Sequence, residues 1–211
     1  VAKILEKFGV LKDEWCCGSP LLRTGYRDLA KKMAKHNVQA LKEAGAKRGI
    51  CSCAGCYKTL KLDWPKQVGE LPFEVIHISQ CLADMIKNEK ISLREVKGKV
   101  TYHDPCHLGR HCGVYDEPRE VLKSIPGIEF VEMNPNRENS LCCGAGGGVK
   151  AALPDIAIKT AINVLQKIGE TGAETIISTC PFCKTNFLDA MGEKEKIEVC
   201  DLTELIVKSM E

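Results

Sequence analysis

The cysteines of this chain fall into two copies of one spaced signature, and that arrangement constrains the fold more than any other feature. One copy reads Cys16-Cys17-Gly18 and then Cys53-Ala-Gly-Cys56; the other reads Cys106, then Cys142-Cys143-Gly144, then Cys180-Pro-Phe-Cys183. Between the adjacent pair and the CxxC lie 35 residues in the first copy and 36 in the second. Thirteen cysteines is an odd number, so complete pairing into disulfides within the chain is impossible. Paired cysteines at matched spacing, in a chain otherwise built like a cytosolic enzyme, point to metal, with iron and sulfide the expected cargo.

A shift of 127 residues lays Cys53 on Cys180, Cys56 on Cys183, and Gly45-Ala46 on Gly172-Ala173. Asp28, Ala30, Lys32 and Ala34 then fall on Asp155, Ala157, Lys159 and Ala161, and the CC-Gly triplets align after a one-residue gap. This is duplication of a domain rather than a short solenoid period. The charged, Gly-containing stretch Glu95-Val-Lys-Gly-Lys99 suits a boundary, giving expected halves at 1–97 and 98–211. The leading cysteine has no counterpart in the first half. Placed 36 positions before Cys16, it would lie about 20 residues upstream of Val1. The first half is therefore expected to be truncated at its N-terminus, in the C-terminal part of a longer protein or in a split subunit. Val1 to Phe8 reads as the inside of a helix.

Alternating elements suggest α/β architecture with parallel sheets, two pseudo-repeated Rossmann-like halves. Apolar stripes at helical spacing occur from Asp28 to Ala44 (Leu29, Met33, Ala40, Leu41, Ala44) and from Asp155 to Ile168 (Ile158, Ala161, Ile162, Leu165, Ile168). Glycines 45, 169 and 172 offer stops. Strands are expected at Arg48 to Ser52, Phe73 to Ile76, Val100 to Tyr102, Phe130 to Met133, Thr175 to Ser178 and Ile197 to Val199. Helices from Ser79 to Lys87 and Asp201 to Ser209 close the repeats. Each CxxC thus follows a strand and begins a helix, where free N–H groups and the helix dipole stabilise thiolates.

Composition removes several function classes. A net charge of +2 with no long basic run, and only 5% aromatic residues, argue against nucleic acid as a partner. No stretch approaches the roughly 20 apolar residues of a membrane span. The expected setting is cytoplasmic, with any membrane association made through a partner. The run Gly144-Ala-Gly-Gly-Gly148 has two readings: backbone donors to sulfide, or part of a phosphate-binding loop. Cys53-Ala-Gly-Cys56 alone would also suit a nucleophilic redox motif. Cys51, Cys81 and Cys200 read as buried small hydrophobes, and Cys112 as a bystander.

Cys-x35-Cys-Cys-x36-Cys-x2-Cys with glycine after the pair resembles the CCG-type cysteine-rich domain. That domain occurs in the catalytic subunit of heterodisulfide reductase and in iron–sulfur subunits of glycolate, lactate and glycerol-3-phosphate oxidoreductases. Trp15-Cys-Cys-Gly-Ser-Pro20 and Tyr102-His-Asp-Pro-Cys-His-Leu-Gly-Arg110 extend the resemblance over nearly the whole chain, and 18–25 (GSPLLRTG) leans towards heterodisulfide reductase. The resemblance implies a non-cubane [4Fe-4S] cluster on Cys106, Cys142, Cys143, Cys180 and Cys183, with Gly144 at its side. It implies a second cluster, or zinc, on Cys16, Cys17, Cys53 and Cys56. His103, His107 and His111 recur every four residues, and Pro105 leaves only the last two on one face. They read as loop hydrogen bonders, zinc ligands, or cluster neighbours, with His107 as proton donor and Arg110 binding an anionic substrate. Two functions follow: an oxidoreductase cleaving a small-molecule disulfide within a complex, or a module relaying electrons from a flavoprotein dehydrogenase towards a quinone. A zinc-stabilised scaffold is the plainer alternative. The implied partners are other redox subunits: ferredoxin-like, flavoprotein or membrane cytochrome.

Overall fold

A computed structural model describes residues 1–5, 7–192 and 197–210. It is an α/β protein with two parallel sheets, one of two strands and one of four. In the smaller sheet β1 (Arg48–Cys51) pairs with β2 (Glu74–His77), aligning Cys51 with His77. The larger sheet uses β3 (Gly98–His103), β4 (Ile128–Phe130), β5 (Thr175–Ser178) and β6 (Glu198–Asp201) in the order β4-β3-β5-β6. Its register places His103 beside Ser178 and Ser178 beside Asp201.

Helices make the crossovers. Helix α1 (Ser19–Arg23) and α2 (Arg27–Glu43) precede β1; α3 (Ala54–Lys58), a π-helical stretch (Thr59–Asp63) and α4 (Trp64–Val68) join β1 to β2. After β2 comes α5 (Ile78–Lys87), and after β3 come α6 (Gly109–Cys112) and α7 (Asp116–Lys123). The second half continues through α8 (Val149–Ala152), α9 (Pro154–Gly169), α10 (Pro181–Ala190) and α11 (Leu202–Met210). No helix among the described residues is long and apolar enough to cross a membrane.

The elements agree with the sequence pattern, with three corrections. Residues 1–5 make one turn, Val1 accepting from the N–H groups of Ile4 and Leu5, rather than a helix. Strand β4 lies two residues ahead of the expected Phe130 to Met133, because pairing with β3 aligns Gly98 with Ile128 and Val100 with Phe130. The stripe on α2 is also displaced: Leu29 is half exposed and Ala44 exposed, while Ala30, Ala34 and Asn37 are buried. Helix α9 buries the corresponding positions Ala157, Ala161 and Val164, together with Leu165 and Ile168. Small residues face inward because the cysteine loops press against these helices.

Both halves contribute to both cores. One core joins Tyr57, Trp64 and Phe73 to Val164, Ile176 and Phe187. The other joins Ile76, Ile78 and Leu82 to Tyr102, Val121 and Leu205. Burial shared in this way fixes the two sheets relative to each other, and with them the cysteines at the strand ends.

Candidate metal centre

Each CxxC sits at a strand-to-helix turn. Cys53 is the extended N-cap of α3, with φ −113° and ψ 125°. Cys180 takes the same place before α10, with φ −148° and ψ 118°, and Pro181 is the first helical residue. Pro is pre-set for that position and wastes no donor there. The backbone N–H groups of Cys56 and Gly55 turn to Cys53, and that of Cys183 to Cys180, so both sulfurs have main-chain donors.

The adjacent pairs lie in loops anchored by their carbonyls. Trp64 Nε1 donates to the Cys17 carbonyl at 2.9 Å, and Asn186 Nδ2 to the Cys143 carbonyl at 2.7 Å. Asn186 also reaches the Ala157 carbonyl at 2.9 Å and accepts from Lys150 Nζ at 2.8 Å. Two residues earlier, just ahead of each pair, Asn37 Nδ2 holds the Trp15 carbonyl at 2.8 Å, while His103 Nε2 holds the Leu141 carbonyl at 3.0 Å. The glycine after each pair has a left-handed backbone, φ 84° at Gly18 and 89° at Gly144. A Cβ on Gly18 would stand 3.4 Å from Ala30; on Gly144 it would stand 2.7 Å from Thr160 Cβ and 2.8 Å from the Ala157 oxygen. The motif glycine is thus required for conformation at both sites, and at Gly144 for space as well. The N–H of Gly144 points to Cys142 Sγ at 3.4 Å, and no strand leads into the Gly144–Gly148 run. A phosphate-loop reading therefore loses its structural context.

The nine candidate ligands form one string of side-chain contacts. Cys16 meets Cys17, Cys17 meets Cys56 at 3.3 Å, Cys56 meets Cys53, and Cys53 crosses to Cys180. Cys180 then meets Cys183, Cys183 meets Cys143, Cys143 meets Cys142, and Cys142 meets Cys106. Hydrogen bonds between thiols divide the protons unevenly. Cys53 is held well below the usual thiol range by Cys180 and then Cys56, and Cys142 by Cys106 and then Cys143. Their donors are pushed up: Cys56 by bonding to Cys17 and then Cys53, Cys106 by bonding to Cys142. Cys16 and Cys142 are exposed, whereas Cys143, Cys180 and Cys183 are buried. Among the described residues, no three His, Cys, Asp or Glu side chains converge on a single-ion position. The thiols meet in succession, not around a point.

The segment carrying Cys106 is fixed residue by residue. Tyr102 Oη bonds Thr179 Oγ1 at 2.9 Å, His103 holds the loop before the cysteine pair, and Asp104 receives both terminal nitrogens of buried Arg119 at 2.8 Å. Arg119 also binds Glu132, at 2.6 Å, and the Tyr115 carbonyl. Arg110 donates to the Ser140 carbonyl at 2.6 Å, turning its guanidinium to the loop that enters Cys142. His107 faces the other way. From the point a Cβ on Gly55 would occupy, Cys53 Sγ is 3.7 Å and His107 Nδ1 3.8 Å distant. Its ring lies 5.1 Å from that of His111, and Arg23 and Lys58 share its surroundings. Those two cations pair with Asp63 of the π-helical stretch, at 2.9 and 2.7 Å.

Cys51, Cys81 and Cys200 are buried, Cys51 in the same core as Cys143, Cys180 and Cys183, and half-buried Cys112 packs against that core. The sequence reading missed Asn37, Trp64, Arg119 and Asn186. The signal for Asn186 and Asn37 was a polar residue on the inward face of an otherwise apolar helix; Trp64 and Arg119 gave none.

A family model for the CCG cysteine-rich domain matches residues 2–61 and 100–188. The chain is 48% identical to a component of the dihydromethanophenazine:CoB–CoM heterodisulfide reductase of Methanosarcina acetivorans, over 99% of this chain and 54% of that one. It is 35% identical to an uncharacterized iron-sulfur protein of Methanocaldococcus jannaschii, over 98% of this chain and 42% of the relative. To the EtfAB:quinone oxidoreductase of Syntrophomonas wolfei it is 34% identical, over all of this chain and 31% of the relative. The chain thus spans about half the length, or less, of these curated relatives. With more than half of its residues matched, the signature glycines in their strained conformation and the cysteines drawn into one string, the chain belongs to the CCG cysteine-rich domain family.

Proposed function

We propose that this chain is the cysteine-rich part of a larger oxidoreductase that carries iron–sulfur groups on its thiol string and reduces a disulfide. The observation that carries the reading is the contact of Cys53 with Cys180, which joins the two cysteine sets across the halves. Relatives described as part of a heterodisulfide reductase and as an iron-sulfur protein support it.

Cys106, Cys142, Cys143, Cys180 and Cys183 are assigned to a non-cubane [4Fe-4S] group in the half from 98 to 211. Cys16, Cys17, Cys53 and Cys56 are assigned to a second group in the half from 1 to 97. Thiols that meet in succession suit several irons better than one tetrahedral zinc. When bound, such a group supplies electrons one at a time. A disulfide takes up two electrons and two protons and leaves as two thiols. The chain contributes access, through exposed Cys16 and Cys142, and His107, whose Nδ1 lies in the space beside Cys53, as the group that would pass a proton. Arg110 holds the loop that sets the angle of Cys142 and Cys143. Other redox subunits supply the electrons, and any attachment to a membrane comes through them.

The likeness to an EtfAB:quinone oxidoreductase supports a second reading, a relay of electrons with no disulfide substrate. EPR of the oxidised, anaerobically purified protein, with and without added thiol, separates the two. A signal that changes with thiol supports disulfide chemistry. Iron and sulfide present with a signal indifferent to thiol would put the relay in its place.

A further inference from the structure

His77 closes strand β2 and its imidazole is fully buried. Its Nδ1 accepts from the backbone N–H of Ser79 at 3.2 Å and from Ser79 Oγ at 2.9 Å. A backbone N–H can only donate, so Nδ1 carries no proton and the ring hydrogen sits on Nε2. Among the described residues Nε2 has no hydrogen-bond partner. A buried donor left in this state costs free energy unless something supplies an acceptor.

The surroundings say what that acceptor is. Cys51 pairs with His77 across the sheet, and Cys53 follows two residues later. Tyr57, whose N–H bonds the Cys53 carbonyl at 2.9 Å, stands edge-on to the imidazole at 5.7 Å. From the other half, the backbone of Thr179 lies beside the ring without completing a hydrogen bond to Nε2. The ring thus stands between the strand end that leads into Cys53 and the backbone of Thr179, the residue before Cys180. Capping a helix does not require an imidazole here. At the end of β6 the matching task falls to Asp201, whose Oδ1 accepts from the N–H of Thr203 at 2.8 Å and has no N–H to offer.

We propose that His77 is a positioning residue for the iron–sulfur group of the first cysteine set, donating its Nε2–H to the Cys53 sulfur where the two sets meet. The inference rests on the iron–sulfur reading above. Hydrogen bonds to cluster sulfurs stabilise the more negative, reduced state and so raise the reduction potential. Two variants separate this role from capping. His77→Asn keeps an acceptor for the Ser79 N–H, asparagine being a good N-cap, and removes the distal donor. His77→Gln places an amide N–H near the position of Nε2 and gives up the cap.

Iron and sulfide are measured first, then the reduction potential by EPR-monitored titration. At wild-type iron content, His77→Asn is expected to shift the equilibrium tenfold towards the oxidised form, a potential 59 mV lower for a one-electron couple. His77→Gln should return most of that shift while lowering the melting temperature. An unchanged potential in His77→Asn with its iron retained overturns the role of His77 and leaves the iron–sulfur reading standing. Should His77→Asn lose its iron, a potential in His77→Gln displaced tenfold from wild type overturns the proposal, and one close to wild type supports it. Absence of iron and sulfide from the wild-type protein overturns both.

Discussion

In the first half the carbonyl ahead of the cysteine pair is held by Asn37, reaching inward from helix α2; in the second it is held by His103, at the end of strand β3. The next carbonyl but one is held by the Trp64 indole in the first half and by the Asn186 amide in the second. Asn186 falls on Thr59 under the 127-residue shift, and Thr59 opens the π-helical stretch with its hydroxyl buried and, among the described residues, unpartnered. The backbone of the cysteine pair is thus what the two halves share, and the side chains that hold it are interchangeable. The halves differ in support as well. Residues 98–211 brace their leading cysteine with a buried Arg119–Asp104–Glu132 network, while residues 1–97, which hold no such cysteine, place the more open Arg23–Asp63–Lys58 cluster near His107.

The sharpest way to break this comparison is to remove Arg119. Arg119→Met leaves Asp104 buried without its cation and is expected to cost about 3–5 kcal/mol in urea unfolding of the metal-free protein. A cost under about 1 kcal/mol would mean that Asp104 does not depend on the pair. Alanine at the two motif glycines grades the crowding next. Both Gly18→Ala and Gly144→Ala force a side chain into left-handed backbone, at about 1–2 kcal/mol. Gly144→Ala also collides with Thr160 and the Ala157 carbonyl, adding about 1–3 kcal/mol. Equal losses at the two sites would contradict the tighter second loop.

A smaller contrast lies in the carbonyl holders. Asn186→Ala strands two buried acceptors and is expected to cost about 2–4 kcal/mol; Trp64→Phe strands one, at about 1–3 kcal/mol, both read from chemical denaturation. The smallest effect is expected at Asp63. Asp63→Asn loosens partly exposed pairs and should change stability by about 1 kcal/mol, an effect that fades in high salt. A loss matching that of Arg119→Met would make the two ion clusters equivalent.

Much of this was legible in the sequence because it is local. A β-branched run ending in Cys-x-x-Cys with Pro inside the turn fixes a strand, an N-cap and a helix start, and Thr175–Ser178 and Pro181–Ala190 lie where that logic puts them. The α2 stripe was misplaced because apolar residues were sought, whereas a loop pressed against a helix selects small ones, Ala30 and Ala34. The Cys53–Cys180 contact depends on how two sheets share their cores, which no local pattern encodes. His77 looked like an ordinary strand residue for the same reason: its full burial and unpartnered Nε2 follow from elements the fold brings around it.

The measurement that bears most directly on the account is iron, acid-labile sulfide and zinc per chain after anaerobic purification and reconstitution, in the wild-type protein and in Cys180→Ser. Near-equal iron and sulfide in the wild type, with sulfide lost from both cysteine sets in Cys180→Ser, is the result expected of one joined string. Zinc without sulfide, persisting through reconstitution, would contradict it.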